Sequence, residues 1–200
     1  MTLTRLDFMR HGQPEGGQLY RGHGIDDPLS EKGWQQMKSS SQQVQDWEVI
    51  ISSPMQRCLS FAQYLHNERQ IDYHIIDDLK EVGFGDWEGK SREWLKTNRL
   101  EEYQEFYQNP VENRPKGAET LADFKTRIDK TIELILHEYA NKKCLIIAHA
   151  GVIRASLGWC INAPIINWYQ AKVDPASLSR YRYQNEQKNL EFFNYKPLSM

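Results

Sequence analysis

Apolar residues recur at helical spacing in several stretches of the chain, and each stretch begins with a residue suited to capping a helix. The most regular stretch runs from Leu121 to Tyr139 and is preceded by Thr120, a favoured N-cap residue. Ser30 is placed to cap an earlier helix, whose apolar face would be formed by Trp34, Met37, Val44 and Trp47.

Two further helices are predicted from their boundary residues. The pair Ser53-Pro54 is typical of an N-cap followed by Pro at the first helical position, and the helix would bury Met55, Leu59, Ala62 and Leu65. A polar and aromatic segment over 91–108 predicts another helix, which Asn109-Pro110 would end.

Short apolar runs between these helices predict strands. The unbroken run at 144–148 is typical of a strand buried on both faces. Other strands are predicted at 6–9, where Asp7 interrupts the apolar pattern, and at 49–51 and 71–76. Two alternating segments, 178–183 and 190–195, predict a hairpin. Because strands alternate with helices, we expect an α/β fold with a mostly parallel sheet.

Composition and charge exclude several classes of protein. The 200 residues, of which 40% are apolar, favour one domain over 1–200. A formal net charge of −2 argues against nucleic-acid binding, which needs an excess of Lys and Arg. No apolar run approaches the roughly 20 residues that cross a bilayer, and an acid, Asp7, lies where a signal peptide has its apolar core. The 3 cysteines show no CxxC spacing. We therefore expect a cytoplasmic protein without a membrane or nucleic-acid partner.

Polar residues directly follow three of the predicted strands. These groups are Arg10-His11-Gly12, then Ser52-Ser53-Pro54 with Arg57 close behind, and His149-Ala150-Gly151. Ligands of open α/β sheets bind outside the carboxyl ends of the strands, so we expect these groups to converge. Two histidines and two arginines beside a helix N-terminus would form an anion site.

The ordered set of motifs resembles the histidine phosphatase superfamily, which has the phosphoglycerate mutase-like fold. The motifs cover about three quarters of the chain, and they are Leu6 to Gly12, Pro28 to Gly33, Ser52 to Arg57, Glu81 to Gly89, Gly117 to Thr120 and Ile146 to Gly151. The resemblance implies a three-layer α/β/α sandwich with a mostly parallel central sheet and a small helical cap insertion at roughly 88–118.

The resemblance also implies catalytic roles. His11 would attack phosphorus through a neutral ring nitrogen to give a phosphohistidine, while its other nitrogen donates to a backbone carbonyl. Arg10, Arg57 and a protonated His149 would hold the phosphoryl oxygens. Glu81 would protonate the leaving alkoxide and then activate water. Neither a metal ion nor a cofactor is expected, and the partner would be a small phosphorylated metabolite.

The loop after His11 departs from the pattern of the superfamily. Gln13 is followed by Pro14, and no Asn lies between His11 and Arg21 to contact the phosphate. Gln13 is our candidate phosphate ligand in its place, with Gln18 as an alternative. We expect the stretch Arg21-Gly22-His23 to bind substrate.

Within the superfamily, the chain resembles bacterial α-ribazole phosphatases of the cobalamin pathway, through Tyr20 to His23, Phe84 to Glu88 and Val173-Asp174. This implies hydrolysis of α-ribazole 5′-phosphate to α-ribazole and phosphate. The alternatives are a broad-specificity or sugar-phosphate phosphatase, a phosphoglycerate mutase-like enzyme, and a phosphate sensor without catalysis.

Several aromatic residues have two open interpretations. Residues of the cap segment either stack on the benzimidazole base of the substrate or pack the cap, and these are Trp94, Tyr103, Phe106 and Tyr107. Later aromatics either line a dimer contact or pack the core, and these are Trp159, Trp168 and Tyr169.

Overall fold

A six-stranded sheet forms the centre of the fold in the computed structural model, which describes residues 3–196. Along the chain its strands are β1 (Thr4–Arg10), β3 (Val49–Ser52), β4 (Tyr73–Ile75), β6 (Lys143–Ala148), β7 (Leu178–Gln184) and β8 (Gln187–Tyr195). Their spatial order is β4-β3-β6-β1-β7-β8. The first four are parallel, whereas β7 and β8 form an antiparallel hairpin that extends the sheet beside β1. The expectation of a mostly parallel α/β sheet is confirmed.

Six α-helices accompany the sheet in the described residues. They are α1 (Glu31–Gln42), α2 (Gln56–Arg69), α3 (Arg92–Asn98), α4 (Leu100–Gln108), α5 (Leu121–Glu138) and α6 (Ala150–Ile161). Two short strands, β2 (Leu19–Tyr20) and β5 (Lys90–Ser91), pair with each other outside the main sheet.

The two faces of the sheet are covered by different helices, because neighbouring strand residues point in opposite directions. Ile50 and Ile147 belong to a buried cluster with residues of α1 and α2. Ile51 and Ile146 belong to a second cluster with residues of α5 and α6. The sheet therefore lies between two helical layers, which gives the expected three-layer sandwich.

Asp7 is buried in β1 because two neighbours satisfy its carboxylate with three hydrogen bonds. Arg180 donates to it through Nε at 2.7 Å and Nη2 at 2.9 Å. The indole of Trp47 donates a further hydrogen bond at 2.8 Å, and Asp7 itself is 1% exposed. A buried charge is tolerated when it is paired and hydrogen-bonded, so the acid does not break the strand.

Two predicted helix starts are confirmed, and in both of them a side chain caps the helix. The hydroxyl of Ser30 accepts from Gly33 N–H at the start of α1, and Thr120 accepts from Asp123 N–H at the start of α5. The apolar face predicted for the first of these helices extends too far, since α1 ends at Gln42, before Val44 and Trp47.

Three predicted boundaries are wrong. Helix α2 begins at Gln56 rather than at Pro54, because the Ser53 hydroxyl is engaged with His149 and with Met55 N–H. The helix predicted over 91–108 is two helices, α3 and α4, which meet at Arg99. The strand predicted over 71–76 is only β4, three residues long.

Candidate active site

The carboxyl ends of β1, β3 and β6 bring the predicted catalytic groups together. Strand β6 lies between the other two, so His149 is flanked by Ser53 on one side and His11 on the other. Backbone bonds fix this arrangement: His11 N–H donates to the Ala148 carbonyl at 2.9 Å, and Ser53 N–H donates to the Ile147 carbonyl at 3.0 Å. The expected convergence of the three strand ends is therefore confirmed.

His11 is held in a single tautomer at the end of β1. Its Nδ1–H donates to the carbonyl of Gly12 at 2.7 Å, so its Nε2 is the unprotonated nitrogen. Burial lowers the pKa of His11 well below the ordinary 6.5, and the cationic Arg57 and Arg10 lower it further. The ring is thus neutral at physiological pH, as a nitrogen nucleophile must be.

The pKa of His149 is lowered as well, and the protonated ring expected around a bound phosphoryl group stays a prediction. The ring is fully buried, and its pKa is lowered well below 6.5 by burial and then by the charge of Arg57. Arg57 Nε donates to its Nδ1 at 3.3 Å, so the proton is on Nε2, which lies 2.8 Å from the hydroxyl of Ser53. Cys58 packs behind this ring, and burial raises the pKa of its thiol.

Two arginines flank the histidines. Arg57 is 1% exposed, and its guanidinium donates to the carbonyls of Ile25 at 2.9 Å and Gly22 at 2.8 Å. Arg10 donates to the Val173 carbonyl at 2.6 Å, while its buried Nε has no hydrogen-bond partner within residues 3–196. Burial and the nearby Arg154 lower the pKa of Arg10 to about 10. These like charges are held together by the fold, and an anion between them would relieve their repulsion.

Glu81 reaches the same place from the loop that follows β4. Its carboxylate accepts from the N–H groups of Val82 at 2.9 Å and Gly151 at 3.1 Å. Gly151 belongs to the first turn of α6, where unpaired N–H groups favour an anion. A Cβ on Gly151 would lie 2.3 Å from Glu81 Oε1, so only Gly allows this approach.

A cavity of about 550 Å³ opens in front of these groups and is lined by all but one of the predicted catalytic and phosphate-binding residues: Arg10, His11, Gln13, Arg57 and Glu81. His149 lies behind this wall, beside His11, with ring centroids 5.2 Å apart. Gln13 and Gln18 both line the cavity, as do Arg21 and Gly22. His23 does not line it. Its Nδ1 donates to the carbonyl of Glu81 at 3.0 Å, and the substrate-binding role of His23 stays a prediction.

The aromatic lining differs from the four residues predicted to stack on a base. Only Tyr107 of that set reaches the cavity, where it is joined by Tyr20, Phe84 and Tyr169. Phe106 is fully buried, and Tyr103 stacks on Trp87. Trp94 lies outside the cavity with the ammonium of Lys90 over its ring. The other aromatics, Trp159 and Trp168, pack in the core.

Sequence reasoning missed three cationic residues of the cavity, which are Lys172 and the two arginines Arg92 and Arg154. Neither arginine lies within 4 Å of a carboxylate oxygen of the described residues, whereas Arg21 is paired with Asp27 and Lys172 with Asp174. Helical spacing contains a signal for one of them, since Arg154 follows Ala150 by four residues and shares its face of α6. Arg92 has no such signal, because the packing of α3 against β5 decides where it lies.

Two other kinds of feature are absent from the described residues. No group of three or more His, Cys, Asp or Glu side chains there is arranged to hold a metal ion. No helix within residues 3–196 is long and apolar enough to span a bilayer.

The chain belongs to the histidine phosphatase superfamily, branch 1, whose family model matches residues 6–196. Among curated relatives, it is 29% identical over 182 residues to the bifunctional protein Rv2228c of Mycobacterium tuberculosis, covering 89% of this chain and 50% of that protein. The chain thus spans about half the length of this relative.

Two shorter relatives are matched over most of their length. The adenosylcobalamin/alpha-ribazole phosphatase of Salmonella typhimurium is 27% identical over 177 residues, covering 85% of this chain and 86% of the relative. Phosphoserine phosphatase 1 of Hydrogenobacter thermophilus is 24% identical over 180 residues, covering 88% of this chain and 85% of the relative.

Solved structures share the fold. The alpha-ribazole phosphatase from Shigella flexneri superposes with a TM-score of 0.83 at 25% identity, covering 98% of each chain. Bacillus stearothermophilus YhfR superposes with a TM-score of 0.87 at 21% identity, covering 96% of each chain. The phosphoglycerate mutase-like fold is thereby confirmed.

Proposed function

We propose that this protein is a phosphomonoesterase that works through a phosphohistidine on His11 Nε2. The observation that carries the proposal is the fixed tautomer of His11, whose Nδ1–H is bound to Gly12 while Nε2 stays unprotonated beside Arg10 and Arg57. The Nε2 lone pair forms a bond to phosphorus as the bond to the ester oxygen breaks. Glu81 gives its proton to that leaving oxygen.

The second half of the reaction reverses the role of Glu81. Its carboxylate takes a proton from water, whose oxygen attacks the phosphohistidine and releases inorganic phosphate and neutral His11. Arg10 and Arg57 neutralise the phosphoryl oxygens throughout, since positioning and charge stabilisation are most of what phosphoryl transfer requires. A bound dianion would also raise the pKa of His149, which allows it to take up a proton with the substrate.

The mechanism is tested by trapping the intermediate. Protein mixed with a radiolabelled phosphomonoester and quenched in alkali should carry label on histidine, and His11→Ala should carry none. A His11→Ala variant that retains full phosphatase activity would rule the mechanism out.

For the substrate, we propose α-ribazole 5′-phosphate. The Salmonella relative supports this proposal, and so do four aromatic side chains that line the cavity and offer faces to an aromatic base: Tyr20, Phe84, Tyr107 and Tyr169. Tyr107→Ala should then lower kcat/KM for α-ribazole 5′-phosphate, while Trp94→Ala, a matched change outside the cavity, should leave it unaltered.

The charge of the cavity favours a second candidate, a phosphate ester that carries a further anionic group. Arg92 and Arg154 have no carboxylate partner in the described residues, and they remain unneutralised after a phosphoryl group has bound Arg10 and Arg57. O-phosphoserine and 3-phosphoglycerate belong to this class, and a relative is named a phosphoserine phosphatase.

Steady-state kinetics separates the two candidates. A kcat/KM for α-ribazole 5′-phosphate that exceeds those of both acids and of 4-nitrophenyl phosphate by about 100-fold, about 2.7 kcal/mol, would establish the nucleoside phosphate. A kcat/KM that is higher for the two acids than for α-ribazole 5′-phosphate would favour the anionic ester. Arg92→Gln or Arg154→Gln should then abolish this preference. Arg99→Gln, outside the cavity, is the matched control.

A further inference from the structure

The loop that carries Glu81 is held from behind by three charged residues to which the sequence analysis gave no role. Arg127 lies on α5, Glu119 lies just before that helix, and Arg114 lies in the segment after α4. All three contact the main chain of residues 78–83, and we call them the acid-loop clamp.

Arg127 is the centre of the clamp. Its Nη1 donates to the carbonyls of Asp78 at 2.5 Å and Lys80 at 2.9 Å, and its Nη2 donates to the carbonyl of Glu81 at 3.2 Å. The same guanidinium forms a forked pair with Glu119, at 2.7 Å through Nε and 2.9 Å through Nη2. A bidentate Arg–carboxylate pair fixes both direction and distance, which a Lys ammonium does not.

The other two members hold the far side of the loop. Glu119 Oε2 accepts from Gly83 N–H at 3.1 Å, and Arg114 Nη2 donates to the Gly83 carbonyl at 2.6 Å. Arg114 also donates to the carbonyl of Glu119 at 3.0 Å and to the hydroxyl of Tyr169 at 3.1 Å. The clamp therefore grips main-chain atoms on both sides of Glu81.

Outside the clamp, Glu81 has few contacts, and the carbonyl of this residue also accepts from His23 Nδ1 at 3.0 Å. Within residues 3–196 the Glu81 carboxylate accepts hydrogen bonds only from the N–H groups of Val82 and Gly151. The loop has no strand partner, and a misplacement of about 1 Å can cost a catalytic group about 100-fold in rate. We propose that Arg127 and Glu119 are positioning residues that hold the Glu81 carboxyl in place for proton transfer. This inference rests on the acid role proposed above for Glu81.

The test is the dependence of rate on the leaving group. Proton donation matters more for phenyl phosphate, whose phenolate is basic, than for 4-nitrophenyl phosphate. Arg127→Lys and Glu119→Gln should each lower kcat/KM, which reports the half-reaction that breaks the ester bond, about tenfold for phenyl phosphate and by less than about threefold for 4-nitrophenyl phosphate. Glu81→Gln should show a still larger difference between the losses for phenyl phosphate and for 4-nitrophenyl phosphate.

Two controls separate positioning from general support of the fold. Arg69→Lys is matched, because Arg69 also donates to two carbonyls, of Val44 and Ser41, far from the cavity. It should lower the Tm without changing the leaving-group dependence. In the Glu81→Gln background, Glu119→Gln should have no further effect beyond about twofold, since there is no acid left to position.

The kinetic results distinguish failure of the clamp proposal from failure of the acid assignment. Equal losses for both esters, or an undiminished loss in the Glu81→Gln background, would overturn the clamp proposal and leave the phosphatase mechanism intact. If Glu81→Gln itself does not steepen the dependence, the acid assignment fails and the clamp proposal falls with it. Should Glu119→Gln not fold, Arg127→Lys, which keeps the charge, decides the question.

Discussion

Single buried residues of this protein keep their charge state through specific partners. Asp7 remains in a central strand because Arg180 and Trp47 satisfy its oxygens. For His11 and His149, burial first and then the charge of the surrounding arginines hold the pKa below its ordinary value. Burial alone therefore does not decide the state of a titratable side chain, because the sign of the neighbouring charges decides it too.

The hydrogen bonds of buried Asp7 should make a large contribution to the stability of the fold. Asp7→Ala leaves the Arg180 guanidinium without its main partner and Trp47 without an acceptor. We expect a loss of about 3 kcal/mol or more in the free energy of unfolding, measured by urea denaturation. Asp46→Ala is the matched control, because Asp46 pairs with Arg5 and Lys143 at 49% exposure and should cost about 1 kcal/mol or less. Equal losses for the two variants would contradict this account.

At the scale of elements, the first turn of α6 contacts both the end of β6 and the loop that carries Glu81. The helix starts directly after His149, and the N–H of Gly151 in this turn binds Glu81. One helix start thereby joins the end of β6 to the acid loop. The missing side chain of Gly151 makes this possible, since any Cβ would displace the carboxylate.

Gly151→Ala should therefore separate stability from activity. Ala is favoured over Gly inside a helix by up to about 1 kcal/mol, so the Tm should not fall. The new Cβ would meet Glu81 Oε1, so kcat should fall markedly. On the same helix, a Cβ at Gly158 would lie 2.4 Å from Trp168, and neither residue lines the cavity, so Gly158→Ala should lower the Tm and spare kcat. A Gly151→Ala enzyme with unchanged kcat would show that Glu81 needs no contact with α6.

At the scale of the whole molecule, folding concentrates cations around two histidines. The pKa of both rings lies below 6.5 in the folded protein. In the unfolded chain each ring recovers its ordinary pKa and takes up a proton as the pH falls, so the unfolded state binds more protons. The stability that depends on these rings is thus present at neutral pH and is lost on acidification.

The free energy of unfolding should fall between pH 6.5 and pH 5 by up to about 1.4 kcal/mol per pH unit for each of the two histidines. This pH range lies above the one in which carboxylates titrate, and the pKa of Asp46, for example, is lowered. Urea denaturation across this range measures the slope, and His149→Asn should remove about half of it. A flat profile would mean that both rings are protonated in the folded protein.

The sequence by itself determined the order of strands and helices and the polar residues at three strand ends. These features depend on local patterns: an apolar run for β6, capping side chains for α1 and α5, and ordered motifs that place Arg10, His11, Arg57 and His149 together. A local pattern predicted the wrong helix start where the capping side chain has another partner. The hydroxyl of Ser53 bonds His149, and α2 begins at Gln56 rather than at Pro54.

Only the tertiary structure decided the pKa of His149, the support of Glu81 and the lining of the cavity. The lowered pKa of His149 depends on burial and then on the charge of Arg57, 92 residues away along the chain. The acid loop depends on Arg127, 46 residues from Glu81. Which aromatics face the cavity depends on how α3 and α4 fold over it, so Tyr20 and Tyr169 line it while Phe106 does not. Electrostatic and packing contacts between residues far apart in the chain produce no periodic pattern in the sequence. The pKa of His149, the support of Glu81 and the lining of the cavity are therefore set by the tertiary structure.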